Sequence, residues 1–414
     1  MNILIIHQNF TGQFKLLAQA LAGNPDIKLV ALGDASRYPS DLKNPYSFPL
    51  ITYSSRNSEP SKAHHYLAGV EQSIRRGQDV LRACLQIKAK GFVPDLIIGH
   101  PAWGEMYFIK DAFPDAKLIS YFEFFYQPSG TDFGFDPEFQ NSIDDIYKLR
   151  IRNTTQLHAL SVSDAGVSPT AWQRSTYTKR DQGLVHVIHE GLDLERLRPD
   201  PRASFRLADG RTLDRTSPVI TFVSRQLEPY RGFHRFMRAL PKLQKLLPKA
   251  HFVIVGSDGV SYGSPPPKLY KNYREMMLNE VGSDLDINRT HFTGRIDYSD
   301  YIKLLQISRL HIYMTYPFVL SWSMLEAMAC GAPILGSATP PVKEVIKQGE
   351  TGFLFDFFDS EGLVENAIRM MNRDNSDLIS NARDLLDSSY SFTKNSYPKY
   401  IELINKVMWQ SSIK

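Results

Sequence analysis

The sequence predicts an α/β protein with two Rossmann-like domains, each built on a doubly wound parallel sheet. Three observations support this prediction. The chain has 414 residues, too many for one ordinary hydrophobic core. Residues 3–6 form a continuous apolar run followed by a loop containing Gly12 and a helical stretch, the order that opens such a sheet. The same alternation restarts after a proline-marked junction at residues 198–201.

The first domain is predicted to cover residues 1–197. Short apolar runs bounded by turn residues indicate its strands, and apolar positions at helical spacing indicate its helices. The predicted elements are strands at 3–6, 27–32, 95–100 and 117–121, and helices at 15–21 and 62–90.

The second domain is predicted at residues 198–394, and residues 395–414 are predicted to form a helix that returns to the first domain. Its predicted elements are strands at 219–223, 251–255, 291–293, 311–314 and 333–336, and a helix at 233–247. The Pro-, Gly- and Tyr-rich stretch 261–273 is interpreted as a surface insertion. The two domains are expected to face a central cleft, because ligands of such sheets bind at the carboxyl ends of the strands.

Composition narrows the class of protein. A net charge of +4 permits anionic ligands but does not indicate nucleic acid. Two widely separated cysteines, Cys84 and Cys330, argue against a disulfide scaffold or a zinc site. No secretory signal or long apolar run is seen, which predicts a cytoplasmic protein. The basic helix at 62–90 is interpreted as a solvated face, with a peripheral contact to the inner face of a membrane as the alternative.

Residues 316–331, YPFVLSWSMLEAMACG, predict a strand end, a short turn and a helix. Ser321 or Ser323 is the expected N-cap, and Glu326 falls in the first turns of the helix. A helix N-terminus can bind phosphate, and a carboxylate can accept hydrogen bonds from two hydroxyls. A phosphate and a vicinal diol together describe a nucleotide sugar. The alternative is that Glu326 is an ordinary solvated helix residue.

Other polar side chains follow predicted strands. Arg225 and Arg231 lie on either side of a Pro-containing turn, where they could converge on one diphosphate or be solvated loop residues. His100 and Glu123 end two strands of the first domain; a lone strand-end His is usually a packed residue, but a neighbouring Glu favours a functional role. Gly12 permits a close approach of backbone to phosphate, although a single turn glycine usually serves the turn itself.

These residues together resemble a known group, the family 4 retaining glycosyltransferases, which have the GT-B fold. The resemblance covers nearly the whole chain and is strongest over residues 187–355. VIHEGLDLERLRP resembles the IPNGVD-type segment of that family, and FVSRQLEPYRG resembles its GR…KG segment, with Arg231 where a lysine is usual. VIVGSDG, FTGRIDY, LEAMACGAPILGS and TGFLFD match its later segments in order.

The resemblance implies a role for each matching residue. Arg225 and Arg231 would hold the donor diphosphate and stabilise the leaving group, and Glu326 would bind the ribose hydroxyls. The remaining donor contacts that it implies are Gly12, Arg295, the backbone at Ile296, and the amides of Leu320, Ser321 and Trp322. It implies no metal ion and no cofactor besides the nucleotide sugar, which is the donor substrate.

Three positions depart from the family pattern. Family members usually carry a second Glu eight residues before the position of Glu326, where it binds the donor sugar; here that residue is Phe318, so other groups must read the sugar. A His usual at a strand end of the first domain is Glu123 here, which leaves Glu123 or His100 beside the reacting sugar. Glu190 replaces the usual Asn and could also face the cleft.

The resemblance therefore implies a metal-independent, retaining hexosyltransferase. Its donor is expected to be a UDP-sugar such as UDP-glucose, and its acceptor a saccharide or lipid-linked oligosaccharide of cell-surface polysaccharide synthesis. No nucleic-acid partner is expected. Two alternatives stay open: a non-catalytic nucleotide-sugar-binding or scaffold protein, which Phe318 favours, and a nucleotide-sugar epimerase of the same fold.

Overall fold

The computed structural model describes residues 1–38, 43–55, 64–139 and 141–409. The chain divides into two compact units, one made of Met1–Gly191 with the segment from Phe392 onward, the other of Leu192–Ser391. Each unit contains a parallel sheet with helices, so the predicted α/β class with two Rossmann-like domains is confirmed. The divisions lie a few residues before the predicted boundaries at 197/198 and 394/395.

The first unit is a doubly wound sheet. Its strands are β1 (Asn2–Ile6), β2 (Lys28–Asp34), β3 (Leu50–Tyr53), β4 (Leu96–Gly99), β5 (Lys117–Tyr121), β6 (Ala165–Ser168) and β7 (Val185–Val187). Its first six helices are α1 (Lys15–Ala22), α2 (Ala68–Ala89), α3 (Ile109–Ala112), α4 (Ile143–Arg152), α5 (Thr154–Val162) and α6 (Ala171–Ser175). The described strands are all parallel, in the order β3-β2-β1-β4-β5-β6-β7. The winding direction reverses between β1 and β4, which makes the loops after those strands the switch point.

The second unit repeats this arrangement. Its strands are β8 (Ser204–Arg206), β9 (Thr212–Asp214), β10 (Val219–Gln226), β11 (His251–Ser257), β12 (Thr290–Gly294), β13 (Leu310–Tyr313), β14 (Ile334–Ser337) and β15 (Phe353–Phe355). Its helices are α7 (Phe233–Leu246), α8 (Tyr273–Val281), α9 (Tyr298–Ile307), α10 (Trp322–Ala329), α11 (Pro340–Lys343), α12 (Ser360–Asn372) and α13 (Ser376–Ser389). The described residues form a parallel sheet in the order β12-β11-β10-β13-β14-β15, beside an antiparallel pair β8-β9. The switch point of this unit lies between β10 and β13.

The last helix, α14 (Tyr397–Trp409), packs on the sheet of the first unit. Alternate residues of β1 face opposite sides of that sheet, so Ile3 and Ile5 belong to one apolar cluster and Leu4 and Ile6 to another. The cluster containing Ile3 and Ile5 also contains four buried residues of α14, namely Tyr400, Leu403, Ile404 and Val407. The predicted return of the C-terminal helix to the first domain is therefore confirmed.

Several short elements were not predicted from the sequence, among them β3, β6, β7, β15 and the β8-β9 pair. Each has three or four residues, too few for a periodic signal to emerge. The helix predicted at 62–90 begins at Ala68, and residues 62 and 63 lie outside the described part of the chain.

The basic side chains of α2 are mostly bonded within the first unit. Arg75 donates to Glu71 and Arg82 to Asp79 along the helix. Lys88 donates to a backbone carbonyl of α3 at 2.9 Å. The solvated face and the membrane contact both stay predictions for this helix. Among the described residues, the helices include none that is long and apolar enough to cross a bilayer.

Candidate active site

Arg231 follows β10 at the switch point of the second unit. The short turn Pro229–Arg231 is followed by Gly232, and α7 begins at the next residue. Gly232 has a φ of +68°, and a Cβ on it would lie 2.4 Å from Cβ of Met314. Both the left-handed backbone and the lack of space therefore require glycine here. This turn fixes the direction in which the Arg231 side chain leaves the sheet.

The guanidinium of Arg231 is buried, and oxygens of three neighbouring residues hold its Nη1. Its Nη1 donates to Thr315 Oγ1 at 2.7 Å, to the carbonyl of Val319 at 2.9 Å, and to the Tyr313 hydroxyl at 3.3 Å. Burial lowers the pKa of this guanidinium, but the oxygens of Tyr313 and Tyr262 and a nearby carboxylate outweigh that effect and hold its pKa above the ordinary value. Arg231 is thus a charged, immobilised group.

Arg225 differs from Arg231 in its environment. It lies near the end of β10, on the same strand-to-helix connection, but its side chain is exposed. Of the two arginines predicted to bind the diphosphate, Arg231 is therefore fixed within the unit, whereas Arg225 can change its side-chain conformation when a ligand binds. Their convergence on one diphosphate stays a prediction.

Helix α10 begins beside Arg231, because one hydroxyl joins the two. Ser321 is its N-cap and accepts a hydrogen bond from the amide of Ser323. The Tyr313 hydroxyl, which contacts Arg231, also accepts a hydrogen bond from the amide of Ser321 at 2.8 Å. A fixed cation and a helix N-terminus thus meet at the switch point. Leu320 is half-buried and Trp322 is 41% exposed at the same turn.

Glu326 lies inside the second unit rather than on a solvated helix face. It is 9% exposed, and its two carboxylate oxygens accept hydrogen bonds from the hydroxyls of Tyr298 (2.6 Å) and Tyr301 (2.7 Å). Burial raises the pKa of both tyrosines, and the Glu326 carboxylate raises it further, so both hydroxyls keep their protons. The alternative that Glu326 is an ordinary solvated residue is therefore wrong.

Two further predicted donor contacts follow β12. Arg295 is exposed, whereas Ile296 packs against two apolar clusters of the second unit. Gly294, the last residue of β12, has a φ of +65° that turns the chain. The backbone at Ile296 is thereby fixed at a strand's carboxyl end, while its contact with a base stays a prediction.

Phe318 packs among aromatic rings of the second unit. It is 4% exposed, and its ring centre lies 4.8 Å from that of Tyr262 and 5.5 Å from that of Tyr230. The position where the family usually has a carboxylate is therefore part of an aromatic cluster beside Arg231.

In the first unit, a row of polar side chains follows β1, β4 and β5. His7 Nε2 lies 2.7 Å from the side-chain oxygen of Gln13. The side-chain nitrogen of Gln13 donates a hydrogen bond to Glu123 Oε1 at 2.8 Å. His100 Nε2 lies 3.7 Å from the other Glu123 oxygen. The predicted pair His100 and Glu123 is thus brought together, and His7 and Gln13, which were not predicted, join it.

Backbone donors fix the proton positions in this row. The amide of Asn9 donates to His7 Nδ1 at 3.0 Å and that of Ala102 to His100 Nδ1 at 3.2 Å, so both imidazoles carry their proton on Nε2. Burial raises the pKa of Glu123, but His100 and Gln13 outweigh it and hold the pKa below its ordinary value. Glu123 is therefore an ionised carboxylate that accepts a hydrogen bond from Gln13 and has His100 Nε2 nearby, at 3.7 Å.

Gly12 packs against this row. Its φ is +49°, and a Cβ on it would lie 2.3 Å from the His7 ring. The structure thus gives Gly12 a local reason, the close approach of the loop to His7. Its predicted contact with the donor stays a prediction.

Glu190 is buried inside the first unit. It is 9% exposed, accepts a hydrogen bond from the Tyr121 hydroxyl, and has His189 Nε2 at 3.4 Å. These partners give the carboxylate a structural role in the first unit. Its predicted role as a donor contact stays a prediction.

Two family models match successive parts of the chain. The model described as "Glycosyl transferase family 4 group" matches residues 28–197, and the one described as "Glycosyl transferases group 1" matches residues 207–385. The chain belongs to the family 4 glycosyltransferases. The second match includes Arg225, Arg231 and Glu326, and the family predicted from the order of the motifs is confirmed.

Curated relatives are similar to part of this chain. The D-inositol 3-phosphate glycosyltransferase of Mycobacterium sp. (strain KMS) is 27% identical over 179 residues, 43% of this chain and 37% of that relative. The match thus spans little more than a third of the length of such curated relatives.

Solved structures show the same fold. Sucrose-phosphate synthase from Thermosynechococcus elongatus has a TM-score of 0.72 at 16% identity, covering 98% of this chain and 100% of that one. HepE from Anabaena, solved in complex with UDP and glucose, has a TM-score of 0.66 at 16% identity with the same coverage. The predicted GT-B fold is confirmed by these likenesses.

Proposed function

We propose that the protein is a retaining hexosyltransferase that uses a nucleotide sugar, with UDP-glucose as the first donor to test. The observation that carries this proposal is the position of Arg231. Its guanidinium is held at the switch point of a parallel sheet and is joined through the Tyr313 hydroxyl to the start of α10. A fixed cation beside a helix N-terminus forms a binding place for a diphosphate.

The reaction most needs stabilisation of the negative charge that develops on the leaving diphosphate. As the bond between the sugar and the diphosphate breaks, negative charge develops on the phosphate oxygens and positive charge at the sugar carbon. Arg231 is already charged and immobilised, so it stabilises the departing group with little reorganisation. Exposed Arg225 is the second cation assigned to this group, and the step is proposed to need no metal ion.

Glu326 is assigned to the ribose of the nucleotide. Each of its oxygens accepts one tyrosine hydrogen bond and retains a further lone pair for a ligand hydroxyl. The fold neighbour HepE was solved with UDP and glucose, which supports UDP as the first nucleotide to test. The other assigned donor contacts are Arg295, the backbone at Ile296, the amides of Leu320, Ser321 and Trp322, and Gly12 and Glu190 of the first unit.

Glu123 is the group of the first unit assigned to the reacting sugar, with His100 beside it. Because the pKa of Glu123 is lowered, the carboxylate is ionised near neutral pH. It can accept a hydrogen bond from a sugar hydroxyl or stabilise positive charge, but it cannot serve as a proton donor.

The acceptor is proposed to be a saccharide or a lipid-linked saccharide of cell-surface polysaccharide synthesis. A relative is named for transfer to an inositol phosphate, so a phosphorylated polyol belongs in the acceptor panel too. We place the protein in the cytoplasm, at most peripherally at the inner face of a membrane, with no nucleic-acid partner.

An assay of the intact protein with a panel of donors and acceptors tests this function. UDP-, ADP- and GDP-hexoses are combined with oligosaccharide, lipid-linked saccharide and inositol phosphate acceptors, with and without EDTA. We expect a glycoside that keeps the anomeric configuration of the donor, formed equally well with EDTA. Nucleotide binding without turnover across the panel would favour the scaffold alternative, and release of epimerised donor would favour the epimerase.

A further inference from the structure

One carboxylate fastens the loop between β11 and α8 to the connection that follows β10. Glu228 is 1% exposed and accepts hydrogen bonds from three consecutive amides, those of Ser261 (3.1 Å), Tyr262 (3.2 Å) and Gly263 (3.1 Å). A buried carboxylate bonded in this way fixes the position of the loop backbone. The beginning of the stretch interpreted from sequence as a surface insertion is therefore a built part of the switch-point end of this sheet.

This anchor sets the Tyr262 ring beside Arg231. The ring centre lies 5.5 Å from the guanidinium carbon and 4.8 Å from the ring centre of Phe318. Tyr230 extends the group, with its ring centre 5.5 Å from that of Phe318. Tyr262 and Tyr230 are half-buried, so part of each side chain is accessible to a ligand, whereas Phe318 is 4% exposed.

We propose that Tyr262 contacts the donor hexose, as the accessible face of an aromatic wall backed by Phe318 and positioned by Glu228. The proposal rests on the proposed function, because it takes Arg231 to bind the diphosphate that carries the hexose. A sugar bonded to a phosphate at Arg231 would lie close to the guanidinium, and the Tyr262 ring centre is only 5.5 Å from the guanidinium carbon.

An aromatic wall recognises a sugar differently from a carboxylate. A carboxylate accepts hydrogen bonds from hydroxyls, whereas an aromatic face packs against the C–H groups of the ring. With Phe318 at the position of the family's sugar-binding Glu, recognition moves from hydroxyl groups to the apolar face of the hexose. The wall contacts the sugar and not the nucleoside, so its loss should lower the affinity for UDP-glucose much more than the affinity for UDP.

Calorimetry with UDP and UDP-glucose tests this assignment. Tyr262→Ala should weaken UDP-glucose binding about tenfold and leave UDP binding within about twofold of wild type. Tyr262→Phe keeps the ring and loses only the hydroxyl, so it should recover most of the UDP-glucose affinity that Tyr262→Ala loses. The glutamine in Glu228→Gln has one acceptor oxygen instead of two and cannot accept hydrogen bonds from all three amides as the carboxylate does. This variant should therefore also weaken UDP-glucose binding selectively.

Leu269→Ala is the matched control, since Leu269 lies in the same loop and is 80% exposed. It should bind both probes normally. Three results for Tyr262→Ala would each overturn the proposal. They are an unchanged affinity for UDP-glucose, an equal loss of affinity for both probes, and a loss of affinity for UDP alone. Sugar transfer measured on the same preparations separates this proposal from the proposed function. If the wild-type protein transfers sugar but Tyr262→Ala shows no selective loss of UDP-glucose affinity, the aromatic wall is refuted and the transferase activity stands.

Discussion

Arg231 and Arg225 lie six residues apart in the sequence, yet they differ in what holds them. Arg231 is bonded to a hydroxyl and a carbonyl of the loop after β13, whereas Arg225 is exposed. A buried, bonded cation contributes both to folding and to ligand binding, while an exposed one contributes to binding alone. Replacing either arginine should therefore slow catalysis, but only the replacement of Arg231 should also lower the stability of the protein.

We expect Arg231→Ala and Arg225→Ala each to lower kcat by about 100- to 1,000-fold, the usual cost of losing one preorganised donor to a developing anion. Arg231→Ala also leaves the Thr315 hydroxyl and the Val319 carbonyl without their buried donor, so its free energy of unfolding should fall by about 1–3 kcal/mol. Arg225→Ala is the control with unchanged unfolding. Kinetics and denaturant titrations measure both, and near-normal turnover in both variants would remove the diphosphate assignment.

The row from His7 to Glu123 makes the first unit sensitive to acid. Burial and, after it, the proximity of the second imidazole of His100 lower the pKa of His7 to about 3. An unfolded chain takes up this proton near pH 6.5, so between about pH 6.5 and 3 the unfolded state binds one more proton than the folded state. Stability is therefore lost as pH falls through that range.

The pH dependence of unfolding tests this directly. The contribution of His7 should be about 1.4 kcal/mol per pH unit between roughly pH 6 and 4. His7→Gln has no such group and should flatten the plot of unfolding free energy against pH by about one proton. Urea titrations between those pH values measure the slope, and equal slopes in variant and wild type would contradict the protonation state assigned to His7.

At the scale of elements, the loops after β10 and β13 carry most of the proposed donor contacts because they flank the switch point of the second unit. Sequence motifs singled out Arg231, Glu326 and the start of α10 as candidates. They did not reveal that Glu228 anchors the loop of Tyr262, because that contact joins residues 33 to 35 positions apart and leaves no local pattern. They missed His7 and Gln13 for the same reason, although both lie in the polar loop after the first strand.

Glu326→Ala should weaken UDP binding by about 10- to 100-fold, since hydrogen bonds to a charged group are worth about 1.5–3 kcal/mol. Turnover at saturating donor should change less than the affinity, because the ribose is remote from the reacting bond. Glu365→Ala on α12 is a control at an exposed carboxylate of the same unit. Calorimetry with UDP decides the matter: wild-type affinity in Glu326→Ala would refute the ribose assignment.

For the whole molecule, the sequence predicted two α/β domains and a returning C-terminal helix because long periodic stretches specify them. It missed strands such as β6 and β7, whose three or four residues take their structure from parallel neighbours rather than from a local pattern. The last helix completes the core of the first unit although it follows the second unit in the chain. The first unit therefore depends on residues at both ends of the described chain.

Leu403→Ala tests the contribution of α14 to the first unit. Leu403 is 4% exposed and belongs to the same apolar cluster as Ile3 and Ile5, so its truncation should cost about 2–5 kcal/mol of unfolding free energy. Exposed Glu402 on the same helix provides the control, and Glu402→Ala should change stability by less than about 0.5 kcal/mol. Equal stability of the two variants would contradict the packing of α14 on this sheet.

The most direct measurement of the central claim is the transfer of isotopically labelled glucose from UDP-glucose by wild-type protein, Arg231→Ala and Arg225→Ala, with NMR analysis of the product's anomeric configuration. The account predicts a labelled glycoside with the donor's configuration, formed about 100- to 1,000-fold more slowly by each variant. A product of inverted configuration, or wild-type rates in both variants, would contradict it.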